Sequence, residues 1–356
     1  MPNLNWGLLI ATKDRLEALK KCVQLALAQT RMPTEIIVID ASADWEAHAQ
    51  EIGSIVAEYP KVRFVYDKGV MPSLSVQRNQ AIDYAQADIC FMIDDDSFLY
   101  PNCAERIMEI YEADTGGCVA GVQTAQSEVM PNMQIKDNSR NDIINVGGLM
   151  HRPGWKRWVL RNILLVGKQQ FFIPYDDMFP DQPLPESVKH LEVTTSSLFD
   201  GFRMTYRREV IAATRFDPLL RYYCPGEDLD ASYRVSRQGA LLTARQALVY
   251  HHTSATGRMN RYQVKLLTWL NQAMLLHCHS TDPRRGRRRY NGLMARRIFA
   301  ELIKDCAAGR LGAPQTRATI TAWRLSRRIF RLSLKELEKL YPELQGNIVR
   351  GKMAWP

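Results

Sequence analysis

The sequence predicts an α/β fold in which a mostly parallel central sheet is flanked by helices and followed by a helical C-terminal extension. Within the first 120 residues, apolar strand-like runs alternate with helical patterns, and this alternation is typical of a parallel sheet covered by helices. The strand-like runs are continuously apolar, as in Glu35–Asp40 (EIIVID), which indicates strands buried on both faces. Beyond Arg261 the pattern becomes helical.

Each element in the first part of the chain follows from a local pattern. Apolar runs predict strands over Gly7–Thr12, Glu35–Asp40, Val62–Tyr66, Ile89–Ile93 and Cys118–Val122. Helical periodicity predicts helices over Arg15–Gln29, Trp45–Glu58 and Ser73–Ala87, and another from Pro101 to about Ala113. No G-x-G-x-x-G motif follows the first strand, which argues against a dinucleotide-binding domain.

The pattern changes in the middle of the chain. Residues 123–200 are rich in proline, glycine and polar residues and predict a loop-rich insertion. Order returns with a strand over Gly201–Tyr206, a helix from Arg208, a helix that ends at Gln238, and a strand over Leu241–Tyr250. Helices are then predicted over Val264–His277, Arg289–Ala307 and Thr319–Leu332. Ser333 and Glu336 predict a capping box that opens a short last helix ending at Pro342.

The composition is that of a soluble globular protein, with 46% hydrophobic and 24% charged residues. Seven cysteines without C-x-x-C or C-x-x-H spacing indicate a reducing cytosol, with neither a disulfide framework nor a zinc site. There is no run of about 18 apolar residues that could span a bilayer, and Trp6–Ala11 is too short for a signal peptide. We therefore expect a cytoplasmic protein.

The net charge of +9 is unevenly distributed along the chain. Residues 284–356 contain 18 of the 47 Lys and Arg residues but 5 of the 38 Asp and Glu residues, a balance of +13. The remaining 29 basic and 33 acidic residues give residues 1–283 a balance of −4. The basic character therefore belongs to the C-terminal region, and the preceding part is slightly acidic.

Three consecutive aspartates, Asp94-Asp95-Asp96, follow the apolar strand Ile89–Ile93 directly. Like charges at a strand end repel one another unless a cation or hydrogen-bond donors offset them. In open α/β sheets, ligands bind at the carboxyl ends of the strands, and oxygen ligands there suit Mg²⁺ or Mn²⁺ together with substrate phosphates. The alternative is an acidic turn that only caps the next segment.

Several segments together resemble a family 2 glycosyltransferase of the GT-A fold. They are LLIATKDR (8–15), EIIVID (35–40), SVQRNQAI (75–82), FMIDDDSF (91–98), FDPLLRYYCPGEDLDASYRVSRQG (216–239) and VYHHTS (249–254). The resemblance covers roughly residues 5–125 and 200–262. It implies a catalytic domain over 1–262, with a nucleotide-binding half (1–122), the insertion (123–200) and an acceptor and base half (201–262), followed by a basic helical region over 263–356.

The resemblance also implies a divalent metal ion, Mn²⁺ or Mg²⁺, and a nucleotide-sugar donor. By the family pattern Asp96 is the expected direct metal ligand, with Asp94 and Asp95 nearer the nucleoside and Asp94 also available to the metal. His251 or His252 ends a strand at the same crevice, and a neutral imidazole, preferably that of His251, could be the third ligand.

Four further residues are implied in nucleotide binding, and each has a structural alternative. Asp40 lies where the family reads the nucleotide base, although it could simply cap the next loop. Thr12 and Arg15 follow the first strand in the same crevice, but Arg15 could equally be an exposed first-turn residue. Arg78 resembles the Arg of the family's R-N pair near the nucleotide, or it belongs to a solvated helix face.

Glu227 and Asp228 are the candidate bases. Gly226 permits a tight turn before them, and the following helix presents its N-terminus. That helix end stabilises carboxylates and so lowers their pKa, which works against a strong base, and desolvation or carboxylate crowding would have to raise it again. Asp228 is the first choice because the second acid of this motif carries the role in the family, and Glu227 would orient the acceptor or Asp228. The alternative is the acidic first turn of an ordinary helix.

Single-sugar transfer to a hydroxyl acceptor follows from two absences. No Q-x-x-R-W motif of the processive polysaccharide synthases is present, and no transmembrane segment is predicted. One candidate base without a separate nucleophile implies inversion at the anomeric carbon. A saccharide or lipid-linked acceptor in cell-surface polysaccharide or glycolipid assembly is expected.

The C-terminal region permits two interpretations. On a helical projection, Arg324, Arg327, Arg328 and Arg331 share one face and apolar residues cover the other. Such a helix is typical of peripheral binding to an anionic membrane, or of packing on the catalytic domain through its apolar side with solvated arginines. Both can hold if only part of the tail is docked.

Two other function classes were weighed. A phosphatase-type hydrolase would use an Asp-x-Asp pair after the first strand, whereas Asp94 and Asp96 follow the fourth. A non-enzymatic membrane- or nucleic-acid-binding protein is suggested by the isoelectric point near 9.2. No nucleic acid is expected, because aromatic residues are not interleaved with the basic ones as in single-strand binders.

Overall fold

The computed structural model describes residues 3–131, 154–165, 167, 172–252 and 259–356. The chain forms two compact units built from interleaved segments. The first consists of Met1–Val146, Pro180–Phe216 and Ala231–Gly257, and the second of Gly147–Phe179, Asp217–Asp230 and Arg258–Pro356. The partition expected from the sequence placed one boundary at residue 262, and that functional division stays a prediction.

The first unit is built around a mixed sheet. Its strands are β1 (Trp6–Thr12), β2 (Glu35–Asp40), β3 (Arg63–Lys68), β4 (Ile89–Met92), β5 (Ser97–Leu99), β6 (Val119–Ser127), β7 (Val193–Thr195), β8 (Met204–Arg207) and β9 (Ala240–His251). Among the described residues they are ordered β3-β2-β1-β4-β8-β6-β9-β5, with β7 beside β9. The pairs β3-β2, β2-β1, β1-β4 and β6-β9 are parallel, and β8, β5 and β7 pair antiparallel. The predicted fold class is confirmed.

Helices cover this sheet. They are α1 (Leu16–Leu27), α2 (Trp45–Val56), α3 (Leu74–Tyr84), α4 (Cys103–Ala113) and, later in the chain, α6 (Arg208–Thr214). The strands β2 and β4 are buried at every position, as expected for continuously apolar strands between helical layers. The parallel pairing of β1 with β2 and with β4 places the polar residues that follow these strands at one edge of the sheet.

The predicted insertion over 123–200 lies partly outside the described residues. Within the described part, β6 runs on to Ser127, the helix α5 spans Gly154–Asn162, and β7 follows. The helix α7 (Glu227–Val235) begins at the acidic cluster predicted from sequence.

The second unit contains the C-terminal helices α8 (Arg261–His279), α9 (Pro283–Ala307), α10 (Pro314–Ile329) and α11 (Leu334–Val349). The helix α9 begins before the predicted Arg289, because the Asp282 side chain accepts hydrogen bonds from the first-turn amides and Pro283 suits the first helical position. The apolar side of α10 packs on α8 and α9, while Arg324, Arg327, Arg328 and Arg331 are exposed. Both of these helices belong to the same unit as α10, and packing of α10 on the catalytic domain stays a prediction.

The last helix confirms one prediction and corrects another. Ser333 and Glu336 form the predicted capping box. The predicted end at Pro342 is wrong, since α11 continues through it to Val349. An interior proline typically costs about 3 kcal/mol, and here the flanking Tyr341, Leu344 and Ile348 are completely buried. Their packing offsets the lost backbone hydrogen bond.

Within the described parts of the chain, none of the helices has the length and apolar character needed to cross a bilayer.

Candidate active site

The site lies at the carboxyl edge of the first unit's parallel strands. Thr12 at the end of β1 pairs in register with Asp40 at the end of β2, and β4 runs parallel to β1 on its other side. Asp94, Asp95 and Asp96 follow β4 at once. Five residues predicted from three separate segments therefore meet at one edge, where open α/β sheets bind their ligands.

Asp94, Asp96 and His251 form a cluster that could hold a metal ion. Their ligand atoms all lie within 4.8 Å of one another, and His251 Nε2 is 3.2 Å from Asp96 Oδ1. The Asp96 side chain is 3% exposed and that of Asp94 31%. Two carboxylates and an imidazole suit a divalent ion such as Mn²⁺ or Mg²⁺, so the donor set fits the metal that the sequence predicts.

Strand pairing decides which histidine joins the cluster. Ser97 of β5 pairs antiparallel with His251 of β9, and the His252 amide donates to the Asp96 carbonyl over 2.8 Å. Neighbouring residues of a strand point to opposite faces, and His252 stacks on Phe98 instead. The open choice between the two histidines is thus resolved in favour of His251 as the residue beside Asp96.

Phe202 fixes the orientation of the His251 ring. The two rings are stacked, with centroids 4.3 Å apart and an interplanar angle of 7°. Stacking of this kind restricts the imidazole to one plane, in which its Nε2 faces Asp96. Sequence reasoning missed Phe202, because its contact with His251 is made across the sheet and leaves no local pattern.

Asp95 points to the other side of the cluster, toward Thr12 and Arg15. The Thr12 hydroxyl donates to Asp95 Oδ2 over 2.6 Å, and Arg15 Nη1 lies 3.1 Å from both Asp95 Oδ1 and Asp96 Oδ2. Burial raises the pKa of Asp95 to about 6, although Thr12 and Arg15 pull it downward. Arg15 therefore faces the aspartates and is only partly exposed, unlike a solvated first-turn residue.

Arg78 is buried and also faces the aspartates. Its Nη2 donates to Asp94 Oδ1 and to the Gly201 carbonyl, each over 2.9 Å, and its guanidinium lies 5.3 Å from the Phe216 ring centroid. The side chain is 3% exposed, which excludes the solvated helix face considered from sequence. Arg78 holds Asp94 in place beside the metal cluster.

Asp40 is completely buried and its carboxylate is fully engaged. Its Oδ1 accepts from the Ser42 amide (2.8 Å) and hydroxyl. Its Oδ2 accepts from the Tyr66 hydroxyl (2.7 Å) and lies 2.8 Å from His48 Nδ1. These four partners match the roughly four lone-pair positions of a carboxylate. Its part in nucleotide binding stays a prediction.

Glu227 and Asp228 lie in the second unit, at the first turn of α7. Glu227 is buried and Asp228 half-buried, and Asp228 Oδ1 accepts from the Leu229 amide over 2.9 Å. Gly226 precedes them with a φ of 98°, in the left-handed region that glycine adopts without strain. The predicted turn is confirmed, and the predicted site residues fall into two groups, one in each unit.

The sequence and the fold were compared with known proteins. Residues 8–165 match the family described as Glycosyl transferase family 2. Among curated proteins, no match was found. Two of the solved structures that are similar in fold illustrate the likeness. The first is GalNAc-T7 with UDP, GalNAc and Mn²⁺, at 15% identity and a TM-score of 0.51 over 82% of this chain. The chain spans only 55% of that protein.

The second is the mannosyltransferase PcManGT from Pyrobaculum calidifontis in complex with GDP-Man and Mn²⁺. It has 12% identity and a TM-score of 0.50, with 98% of this chain and 88% of the other covered. At such identities the likeness concerns the fold, and both proteins carry the GT-A architecture that the sequence predicts.

Proposed function

We propose that this chain is a family 2 glycosyltransferase, as the match over residues 8–165 supports, and that it transfers a single sugar from a nucleotide-diphosphate sugar to a hydroxyl acceptor, with metal dependence and inversion. The observation that carries the proposal is the Asp94, Asp96 and His251 cluster at the carboxyl edge of the sheet.

Asp96, Asp94 and His251 would hold the metal ion. When bound, Mn²⁺ or Mg²⁺ would stabilise the charge that develops on the departing diphosphate. Phe202 keeps the His251 ring oriented, and Arg78 fixes the Asp94 carboxylate. The ligands are therefore set in position before substrate arrives, which lowers the cost of reorganisation.

Thr12, Arg15, Asp95 and Asp40 would form the nucleotide side of the site. Arg15 bridges Asp95 and Asp96, and its positive charge is suited to a phosphate of the donor. Asp40 would act by holding Ser42, His48 and Tyr66 at the end of β2. These groups follow strands that end at the same edge as the metal cluster.

Asp228 would remove the proton from the acceptor hydroxyl as it attacks the anomeric carbon. Asp228 lies in the first turn of α7 and is half-buried, at the position that the family resemblance implies for the base. The buried Glu227 beside it would orient the acceptor or Asp228. Because one base acts and no separate nucleophile is proposed, the anomeric configuration of the donor would be inverted.

The acceptor would be a saccharide or a lipid-linked molecule in cell-surface polysaccharide or glycolipid assembly. Peripheral attachment to the cytoplasmic face of an anionic membrane would bring the enzyme to such an acceptor. The support for this part is the +13 balance over residues 284–356, together with the three exposed arginines of α10 and Arg331, which follows it. Each basic residue near anionic lipid contributes about 1 kcal/mol.

Turnover by the purified full-length protein tests the proposal. A panel of UDP- and GDP-linked sugars is incubated with and without EDTA, and release of nucleoside diphosphate is followed. Turnover that requires added Mn²⁺ or Mg²⁺ supports the proposal. Turnover that EDTA leaves unchanged would contradict the metal site while leaving glycosyl transfer intact.

A further inference from the structure

We infer that a buried polar network on α8 and α11 positions the acidic segment that carries Glu227 and Asp228, so that Asn271, Tyr341 and Gln345 are positioning residues for catalysis. The inference rests on the proposed role of Asp228 as the base. It assigns a task to the C-terminal helices that is separate from any membrane contact.

The network begins at the turn before Glu227. Asn271 of α8 donates from Nδ2 to the Pro225 carbonyl over 3.0 Å. The Oδ1 atom of Asn271 accepts from the Tyr341 hydroxyl over 2.6 Å and from Gln345 Nε2 over 3.2 Å. Both of these residues belong to α11, so the turn, α8 and α11 are joined through one side chain.

Gln345 closes the network on the same segment. Its Oε1 accepts from the Arg221 amide over 3.1 Å, four residues before Pro225. Asn271, Tyr341 and Gln345 are at most 1% exposed, so water cannot replace these hydrogen bonds. A buried polar group that loses its partner keeps the full cost of its desolvation, which makes the arrangement specific.

Two further contacts hold the ends of the segment Asp217–Asp230. His279 at the end of α8 lies 2.7 Å, by its Nε2, from Asp217 Oδ2. The Tyr175 hydroxyl donates to Asp230 Oδ1 over 2.7 Å. The segment is thus held at Asp217, Arg221, Pro225 and Asp230, on both sides of the two candidate bases.

The backbone of the segment is strained at Tyr222, next to Arg221, whose amide is bound by Gln345. Tyr222 has a φ of 61°, a left-handed conformation that is unfavourable for an aromatic residue. A methyl group added at Gly346 of α11 would lie 2.9 Å from the Tyr222 hydroxyl, so the helix approaches the segment closely. Strained backbone persists only where the surroundings determine it, and such positions concentrate at functional sites.

A matched control is available on α8. Gln263 is also a buried side chain, at 8% exposed, and it donates from Nε2 to the Ile348 carbonyl of α11 over 2.8 Å. It therefore links the same two helices without touching Asp217–Asp230. A loss of stability alone would affect variants of Gln263 and of the network equally.

The experiment compares Asn271→Ala and Gln345→Met with Gln263→Ala, and Asp228→Asn is measured alongside. For each full-length variant, kcat, the donor KM, the Mn²⁺ affinity and the unfolding midpoint are determined. A displacement of about 1 Å at a reacting group lowers the reaction rate on the order of 10²-fold. We expect kcat to fall 10- to 100-fold in both network variants, with donor KM and Mn²⁺ affinity within twofold of wild type. Gln263→Ala should keep its kcat.

Two results overturn the inference. One is wild-type kcat in both network variants while Asp228→Asn is inactive. The other is an equal loss of kcat in Gln263→Ala at a similar unfolding midpoint. If Asn271→Ala does not fold, Gln345→Met and Tyr341→Phe carry the test. Wild-type kcat in Asp228→Asn would instead contradict the proposed base, and the two failures are thereby distinguished.

Discussion

Asp96 and His251 meet across an antiparallel pair of strands, with Asp96 Oδ1 3.2 Å from His251 Nε2. The carboxylate follows β4, and the imidazole ends β9. The backbone supports the contact, since the His252 amide donates to the Asp96 carbonyl. A pair fixed by both main chain and side chain is suited to holding a metal ion in a defined geometry.

Replacement of either partner should weaken metal binding. We expect Asp96→Asn and His251→Gln to lower the affinity for Mn²⁺ by more than about tenfold. Loss of a residue that only hydrogen-bonds to a metal ligand already lowers metal affinity by about 10- to 100-fold. His252→Gln is the matched control, as that ring stacks on Phe98. Mn²⁺ binding followed by electron paramagnetic resonance gives the affinities, and an equal effect of His252→Gln would refute the assignment of His251.

The base is tested by two conservative substitutions. Asp228→Asn should reduce kcat by roughly 10²- to 10⁴-fold with donor affinity little changed, since the substitution removes the proton acceptor and keeps the shape. Steady-state kinetics with saturating donor measure the effect. Should Glu227→Gln show the larger loss, the roles of the two residues are exchanged.

The stereochemical outcome is independent of the size of any rate. One base and no separate nucleophile imply direct displacement, so the product should carry the anomeric configuration opposite to that of the donor. Proton NMR of the isolated product reads the configuration from its anomeric coupling constant. Retention would require a second reacting group and would refute the proposed mechanism.

The exposed arginines of α10 and Arg331, just beyond its end, should bind anionic vesicles. A variant with Arg324, Arg327, Arg328 and Arg331 changed to Ser is preferable to truncation, because the apolar side of α10 packs on α8 and α9. We expect this variant not to sediment with acidic vesicles at low salt. The wild type should sediment with them at low salt and be released as the salt concentration passes about 0.15 M.

The control for that variant removes the same charge elsewhere. Lys61, Lys68, Lys189 and Arg245 are exposed in the first unit, and changing them to Ser should leave vesicle binding in place. Equal sedimentation of the wild type with neutral and acidic vesicles would refute an electrostatic membrane contact.

The ion pair of Arg31 and Glu112 should make the free energy of unfolding depend on pH in the acidic range. Arg31 donates to both carboxylate oxygens of Glu112 over 3.0 and 2.6 Å, and this contact lowers the pKa of Glu112 from 4.5. The folded-state pKa lies below the unfolded one, so the pair stabilises the protein above about pH 4.5 and is lost as pH falls through the lower, folded value.

Glu112→Gln should therefore cost about 1–3 kcal/mol near neutral pH, with a difference from wild type that shrinks in acid. Denaturant unfolding at several pH values measures it. Glu109→Gln on the same helix is the control, because its pair with Arg106 is well exposed and such pairs contribute about 0–1 kcal/mol. A constant difference across pH would show that the ion pair is not the cause.

Features that depend on neighbours along the chain could be predicted from the amino-acid sequence alone. Continuous apolar runs specified the strands that end at Thr12 and Asp40, and the aspartates after β4 marked the site. Ser333 and Glu336 specified the start of α11. These follow from side-chain periodicity, local hydrogen bonds and backbone preference, which act over a few residues.

Features that depend on residues far apart in sequence required the folded structure. It selected His251 over His252 through the pairing of β5 with β9. In the folded chain Arg78 donates a hydrogen bond to Asp94. The Asp40 carboxylate has partners from β3 and α2. The helix α11 also continues through Pro342. Burial and packing outweigh local preference at these positions, because a buried polar or apolar group gains its free energy from contacts that no stretch of sequence contains.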